Sequence, residues 1–147
     1  LSRTLIRTYA EEYDADPEVV FFAANNRLLN DARANLFITS FYGILDPGDG
    51  TLKYCNEGHN PPYLIRDSDQ GLVESFTRTG ITMGLEKNST WTTGSITIDA
   101  GDILVLYTDG IPYAQNQGGD IFNDEAVIEI ARQNSGRLAH EIQSSNY

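Results

Sequence analysis

Gly101-Asp102-Ile103-Leu104-Val105-Leu106-Tyr107-Thr108-Asp109-Gly110 is the stretch from which the fold can be read. A Gly-Asp turn launches five consecutive apolar or aromatic residues, Ile103 to Tyr107, rich in β-formers and too short for an ordinary helix. A run without polar alternation predicts a strand buried on both faces. Polarity then flips to Thr108-Asp109-Gly110. A carboxylate at that point stands at the mouth of a stiff strand, with a glycine beside it that lets backbone or ligand approach closely. Such a support suits a hard divalent cation, which takes oxygen ligands. Asp-Gly is equally a common turn dipeptide, so on these residues alone Asp109 reads more readily as a turn residue than as a ligand.

Upstream of this stretch the period changes twice. Leu1, Leu5, Ile6 and Tyr9 recur at helical spacing up to about Tyr13, and no N-cap precedes them, as in a fragment of something longer. Asp16 before Pro17 is a strong helix start, with Glu18 favouring the positive end. That helix runs to about Asn30 or Asp31, with Val20, Phe21, Ala24, Leu28 and, as an additional candidate, Leu29 on its buried side and Asn25, Asn26 and Arg27 mostly at the surface. From Leu36 to Leu45 the pattern is β-rich. The turn Asp46-Pro47-Gly48-Asp49-Gly50 and the return Thr51–Asn56 complete an antiparallel hairpin. Short strands follow at Tyr63–Arg66 and Leu72–Phe76, then a glycine-containing loop at Gly80–Leu85 and an alternating strand at Trp91–Ile98. Beyond Gly110, Asp124 is the expected N-cap of a helix over Glu125–Gln133, and Arg137–Ser144 suits one more short helix. Helices, then antiparallel strands, then helices indicate α+β, with strands buried on both faces favouring a sandwich.

The 147 residues fit one domain, large enough to bury a real two-layer core. Ten basic against twenty-one acidic side chains leave a net charge of −11. That balance argues against nucleic acid or an anionic membrane as partner, because both would be repelled. No apolar run approaches the roughly 20 residues that span a bilayer, and no secretory signal is visible. The single cysteine, Cys55, suits a reducing cytoplasm. Nucleophilic catalysis finds little support. Cys55 has no identifiable activating partner, there is no Gly-x-Ser-x-Gly elbow, and the two histidines are far apart in sequence. No Walker loop, dinucleotide fingerprint or zinc spacing occurs. What remains is a set of carboxylates and the polar loop Asn56-Glu57-Gly58-His59-Asn60, in which His59 beside two prolines reads most simply as a loop hydrogen-bonder.

Four motifs in register carry a resemblance. They are Leu36-Phe37-Ile38-Thr39-Ser40-Phe41-Tyr42-Gly43, Tyr54-Cys55-Asn56-Glu57-Gly58-His59-Asn60-Pro61-Pro62, Met83-Gly84-Leu85 and the opening Gly101-to-Gly110 stretch. Together they resemble the SpoIIE-type branch of the bacterial PPM serine/threonine phosphatases over nearly the whole chain. The resemblance implies an αββα sandwich of two antiparallel sheets flanked by helices. It also implies two Mn²⁺ or Mg²⁺ ions held by aspartates, and a metal-activated water that attacks a phosphoserine or phosphothreonine phosphorus. Asp109 then becomes a metal ligand, with Gly110, Thr108, Asn56, Gly58, His59 and Gly84 shaping the site. The implied substrate is a phosphorylated anti-sigma-factor antagonist, and the implied parent carries an upstream sensor or regulatory domain.

The chain also departs from the family pattern. Tyr113 stands where Glu is usual, Asn123 where Gly is usual, and Glu57 where the Asn-x-Gly-His motif commonly has a small residue. In the family the first metal-binding motif would precede Leu1 and an acidic ligand pair would follow Tyr147. The chain is therefore expected to be a partial domain, truncated at both ends and inactive alone. Two alternatives stay open: a non-catalytic PPM-fold regulatory or protein-binding module, and an unrelated α+β binding domain.

Overall fold

The computed structural model describes residues 2–13, 16–31, 37–68, 72–108 and 123–137. Its elements are α1 (Ser2–Tyr13), α2 (Pro17–Asn30), β1 (Ser40–Leu45), β2 (Thr51–Glu57), β3 (Tyr63–Ile65), β4 (Val73–Ser75), β5 (Gly94–Thr97), β6 (Ile103–Val105) and α3 (Asp124–Gln133). They gather into two compact units, one made of Leu1–His59 and Thr77–Ile98, the other of Asn60–Phe76 and Asp99–Tyr147. Each unit has one three-stranded antiparallel sheet with helix packed on it. Among the described residues, no helix is long and apolar enough to cross a membrane.

In the first unit β2 is the central strand, paired with β1 from Ser40↔Glu57 to Leu45↔Leu52 and with β5 from Thr51↔Thr97 to Tyr54↔Gly94. The β1–β2 turn closes through Asp46, whose carbonyl accepts from Gly50 N–H at 2.9 Å and whose carboxylate accepts from Gly48 N–H at 2.8 Å. Gly50 has φ +77°, and a side chain there would run into the Ile98 carbonyl, so only glycine fits.

Val20, Phe21, Ala24 and Leu28 of α2 are buried, as their spacing predicts. Phe21 meets Trp91 edge-on at 6.0 Å and Tyr42 at 5.9 Å. Cys55 and Met83 complete this core, with Leu5, Ile6 and Tyr9 of α1 packed against it. Each large side chain so buried contributes about 1.5–3 kcal/mol. Asp16 occupies the N-cap position of α2, but its side chain makes no capping bond. Its carboxylate pairs instead with Lys53 Nζ at 2.7 Å, an exposed and therefore weak contact.

Three readings of this unit need correction. Asn25 is wholly buried rather than at the surface: its Oδ1 accepts from Gly84 N–H and its Nδ2 donates to the Glu86 carbonyl, both at 2.8 Å. The signal was available, since Asn25 lies four residues after Phe21 and three before Leu28 on the buried stripe. The strand predicted from Leu36 begins only at Ser40. Leu36 lies outside the described residues, Phe37 is exposed, and Ile38 makes an isolated bridge to Met83. The antiparallel ladder stops at Ser40↔Glu57, where Gly58 turns with φ +75°. The strand predicted over Trp91–Ile98 forms only at Gly94–Thr97, because Thr92 N–H goes to the Thr79 carbonyl at 3.0 Å instead of extending the ladder.

In the second unit the order is β4-β3-β6, with α3 packed on β3 and β6. The expectation of a β6 buried on both faces fails. Ile103, Leu104 and Val105 are half-buried and Leu106 is 52% exposed. β6 is the outer strand among those described and pairs only with β3, so it has one neighbour instead of two. Asn123, not Asp124, caps α3, its side chain accepting from Ala126 N–H at 2.9 Å. The helix expected over Arg137–Ser144 lies, after Arg137, outside the described residues.

Asn25→Ala is expected to lower stability by about 2–4 kcal/mol, because two backbone groups of the Gly84–Glu86 loop lose their partner. The midpoint of urea unfolding measures it; a change under about 0.5 kcal/mol would show that the loop does not depend on Asn25.

Candidate functional site

The loop that leaves β2 is built by burial. Cys55, Asn56 and Glu57 are consecutive and each is wholly buried. Buried backbone must find partners. Asn56 does so with one residue: its N–H donates to Thr79 Oγ1 at 2.8 Å, and its carbonyl accepts from Thr79 N–H at 2.9 Å. Ser40 bridges to Gly58, and Ile38 and Met83 exchange backbone bonds at 3.0 and 3.2 Å. These contacts bring residues 38–40, 56–59 and 78–83 together.

Gly58 is where the chain must reverse out of the strand. With φ +75° it adopts a conformation that favours glycine. A Cβ would lie 2.7 Å from Thr82 Oγ1, 3.2 Å from the Thr39 methyl and 3.6 Å from Arg78 Nη2. His59, next along, is half-buried.

Glu57 is the unusual member of this loop. Ser40 Oγ donates to its Oε1 at 3.1 Å, while Oε2 is buried without a hydrogen-bond partner. Burial pushes its carboxyl up to about 8, against the smaller opposing effect of hydrogen bonds from Ser40 and the Met83 backbone. At neutral pH Glu57 is therefore mainly protonated, a neutral donor rather than a charge. Burial likewise pushes the Cys55 thiol up to about 11, and its Sγ donates to the Thr92 carbonyl at 3.4 Å. A thiol so protected is no nucleophile.

Of the other predicted site residues, Gly84 belongs to this unit and is held by Asn25. Thr108 is exposed and belongs to the second unit, just beyond β6. Asp109 and Gly110 lie outside the described residues, as does Tyr113. The described chain leading to them is firmly anchored. Tyr107 is buried, its ring stacks on Tyr63 at 6.1 Å, and Tyr63 donates its hydroxyl to Asp124 Oδ2 at 3.1 Å. At the other end of β6, Asp102 accepts from Arg66 Nη1 at 2.8 Å and from the N–H groups of Asp67 and Asp99, both at 3.0 Å. Burial alone would raise the Asp102 carboxyl; these donors outweigh it and hold it below the usual carboxylate range.

Among the described residues no group of three His, Cys, Asp or Glu side chains is placed to hold a metal ion. The described residues thus do not form a metal centre by themselves, and Asp109 is the one ligand that sequence reading assigns. Sequence reading did not single out Asn25, Thr79, Arg78 or Thr82. Asn25 carried a periodicity signal; the other three follow an irregular loop, where spacing says nothing about contacts.

The chain matches the family model of stage II sporulation protein E (SpoIIE) over residues 1–145. It is 33% identical over 122 residues to Protein IcfG of Synechocystis sp. (strain ATCC 27184 / PCC 6803 / Kazusa), covering 79% of this chain and 19% of IcfG. In structure it is similar to the SiaA-PP2C domain of Pseudomonas aeruginosa, with TM-score 0.80, 15% identity, and coverage of 99% of this chain and 57% of that one. It is similar also to the catalytic domain of the serine/threonine protein phosphatase PstP solved with two manganese ions, with TM-score 0.64, 15% identity, and coverage of 97% and 72%. These likenesses show the PP2C-type fold. The chain spans about a fifth of IcfG and just over half of the SiaA chain.

Glu57 makes stability depend on pH with a definite sign. Between about pH 4.5 and 8 the folded state holds a proton that the unfolded state has lost. Stability is therefore full below the lower value and falls as pH rises toward the upper one, by up to about 1.4 kcal/mol per pH unit. Glu57→Gln, which keeps the shape without the titration, should flatten this slope relative to the wild type in urea unfolding from pH 5 to 8. Parallel slopes for the two proteins would mean that Glu57 is ionised in the folded state.

Proposed function

The chain belongs to the SpoIIE family, whose fold is that of PP2C-type phosphatase domains, and on that premise we propose that it is the central part of a metal-dependent phosphoprotein phosphatase. The observation that carries this reading is the family match, which runs through Thr108-Asp109-Gly110 and the Asn56–His59 loop alike. In it Asp109 is a ligand for Mn²⁺ or Mg²⁺, and a neighbour of the same fold was solved with two manganese ions. Such ions supply charge neutralisation at the phosphoryl group and hydroxide near neutral pH.

The chain's own residues contribute support and exclusion. Tyr107, Tyr63 and Asp124 hold the end of β6, which leads through Thr108 to the proposed ligand. Asn56 and Thr79 fix the loop that carries Gly58 and His59. Cys55, buried and protonated, offers no covalent route, which agrees with attack by water.

The substrate in this reading is a phosphoserine or phosphothreonine protein, specifically a phosphorylated anti-sigma-factor antagonist, in the cytoplasm and under control of an upstream sensor or regulatory domain. The SpoIIE family membership supports a phosphoprotein substrate, the anti-sigma-factor antagonist being what the family resemblance implies, and the charge of −11 argues against nucleic acid as the alternative partner.

In the full-length protein, hydrolysis of a phosphoserine peptide should require Mn²⁺ or Mg²⁺, stop on chelation and return when metal is restored. Asp109→Asn should lower turnover by roughly 100-fold or more, the equivalent of several kcal/mol of lost transition-state stabilisation. Wild-type turnover in that variant would remove Asp109 from the ligand set. Absence of both metal binding and turnover in the wild type would favour a non-catalytic protein-binding module.

A further inference from the structure

The turn at Gly58 gathers groups that the phosphatase reading does not use. Two sets of backbone contacts build the place. Thr79 pairs reciprocally with Asn56, which puts Arg78 beside Gly58. Ile38 pairs reciprocally with Met83, which sets Thr39 and Thr82 side by side in antiparallel register. All three side chains come within 4 Å of the point a Gly58 Cβ would occupy, so they close in on that face of Gly58 and are brought near one another there.

Two of the groups that face it, the Thr82 hydroxyl and the Arg78 guanidinium, are donors, and the third is the Thr39 methyl. Among the described residues Arg78 makes no ion pair or hydrogen bond, and neither does the Thr82 hydroxyl. Arg7, Lys53, Arg66 and Arg132 by contrast are all paired with carboxylates. The chain has twenty-one acidic and ten basic side chains, yet among the described residues none of the acids pairs with Arg78. Arg78 is exposed, so its guanidinium is accessible from solvent. A planar fork of N–H donors beside a hydroxyl matches the oxygens of a phosphate or carboxylate group. Glycine at position 58 is what lets the Arg78 and Thr82 side chains come this close together.

We propose that Arg78 and Thr82, brought together at the Gly58 turn, form an oxyanion-binding subsite for the polypeptide substrate, taking either its phosphate group or an acidic side chain near it. The identity of that ligand as part of a phosphoprotein rests on the function proposed above; the binding of an oxyanion does not. The subsite also offsets a general difficulty. An anionic substrate approaching a protein of charge −11 is repelled at long range, and an uncompensated arginine is a local attractor.

The test is a titration of the metal-free, ¹⁵N-labelled protein with inorganic phosphate, against sodium chloride at equal ionic strength. Saturable shifts should centre on the amides of Gly58, His59 and Thr82. Arg78→Ala should weaken binding about 10-fold, the loss of one charge-assisted contact, and Thr82→Val should weaken it less. Arg78→Lys should recover part of it. Shifts no larger than those in chloride, or equal phosphate affinity for Arg78→Ala and wild type, would overturn the subsite. Two phosphoserine peptides, one flanked by Ala and one by Glu, then separate the sources. Equal losses for both peptides in Arg78→Ala assign the phosphate; a loss confined to the Glu-flanked peptide assigns the carboxylate. Phosphate binding at Gly58 without metal-dependent turnover in the full-length protein would leave the subsite standing and the phosphatase reading refuted.

Discussion

Three adjacent residues at the end of β2, Cys55, Asn56 and Glu57, have no access to water, and most of the first unit can be understood as the consequence. Adjacent residues in a strand point to opposite faces, so three in a row buried means cover on both sides. Cover must also satisfy polar groups, because an unpaired buried donor or acceptor costs roughly 1–3 kcal/mol. Thr79 meets the Asn56 backbone, Ser40 meets Glu57, and Thr92 meets Cys55. Each of these partners comes from a different segment. Satisfying one strand end therefore fixes the positions of the residue 38–40 segment, the residue 78–83 loop and the approach to β5. The turn at Gly58 is held by this demand together with glycine's tolerance of a positive φ.

Glu57 is a point at which the demand is met incompletely. One carboxyl oxygen has Ser40 and the other has no partner. A full charge there would be costly, and protonation is the cheaper solution. A small residue at this position would need neither. The substitution thus exchanges some stability at alkaline pH for a polar tie between β1 and β2, next to the loop on which the site reading depends.

The sequence was legible where periodicity or turn chemistry governs. Helix α2, the β1–β2 hairpin with its Asp-Pro-Gly turn, and the α+β class all follow from local pattern. It was less legible where a residue's fate depends on distant partners. Asp16 looked like a cap, but Lys53 is within reach of its carboxylate, and the charge pair wins over the cap. Asn25 looked superficial because amides usually are, yet a loop some sixty residues away needs both its donor and its acceptor. β1 and β5 came out shorter than their apolar patterns suggest, since strand length is set by how far the neighbour continues. Of the site itself, Asn56, Gly58 and His59 share one loop by sequence adjacency, and their site-shaping role, like the ligand assignment for Asp109, rests on family membership alone.

The run Ile103 to Tyr107 shows how the same rigidity can arise by another route. Its apolar composition suggested a strand stiffened by burial on both faces, but β6 is half-exposed. What holds it is polar and lies at its ends. Before it, Asp102 collects Arg66 and two backbone N–H groups, and Arg66 also reaches Glu74 of β4 at 2.6 Å, so the turn is tied across β3 to β4. After it, the Tyr63–Tyr107 stack and the Tyr63–Asp124 hydrogen bond tie the strand end to α3. An outer strand anchored only by side-chain packing would fray at both ends, because half of its backbone groups face away from any neighbour. Anchoring both ends restricts that fraying without requiring a second strand. Gly101-Asp102 and Thr108-Asp109-Gly110, on which the family resemblance draws, flank the anchored segment in sequence on either side.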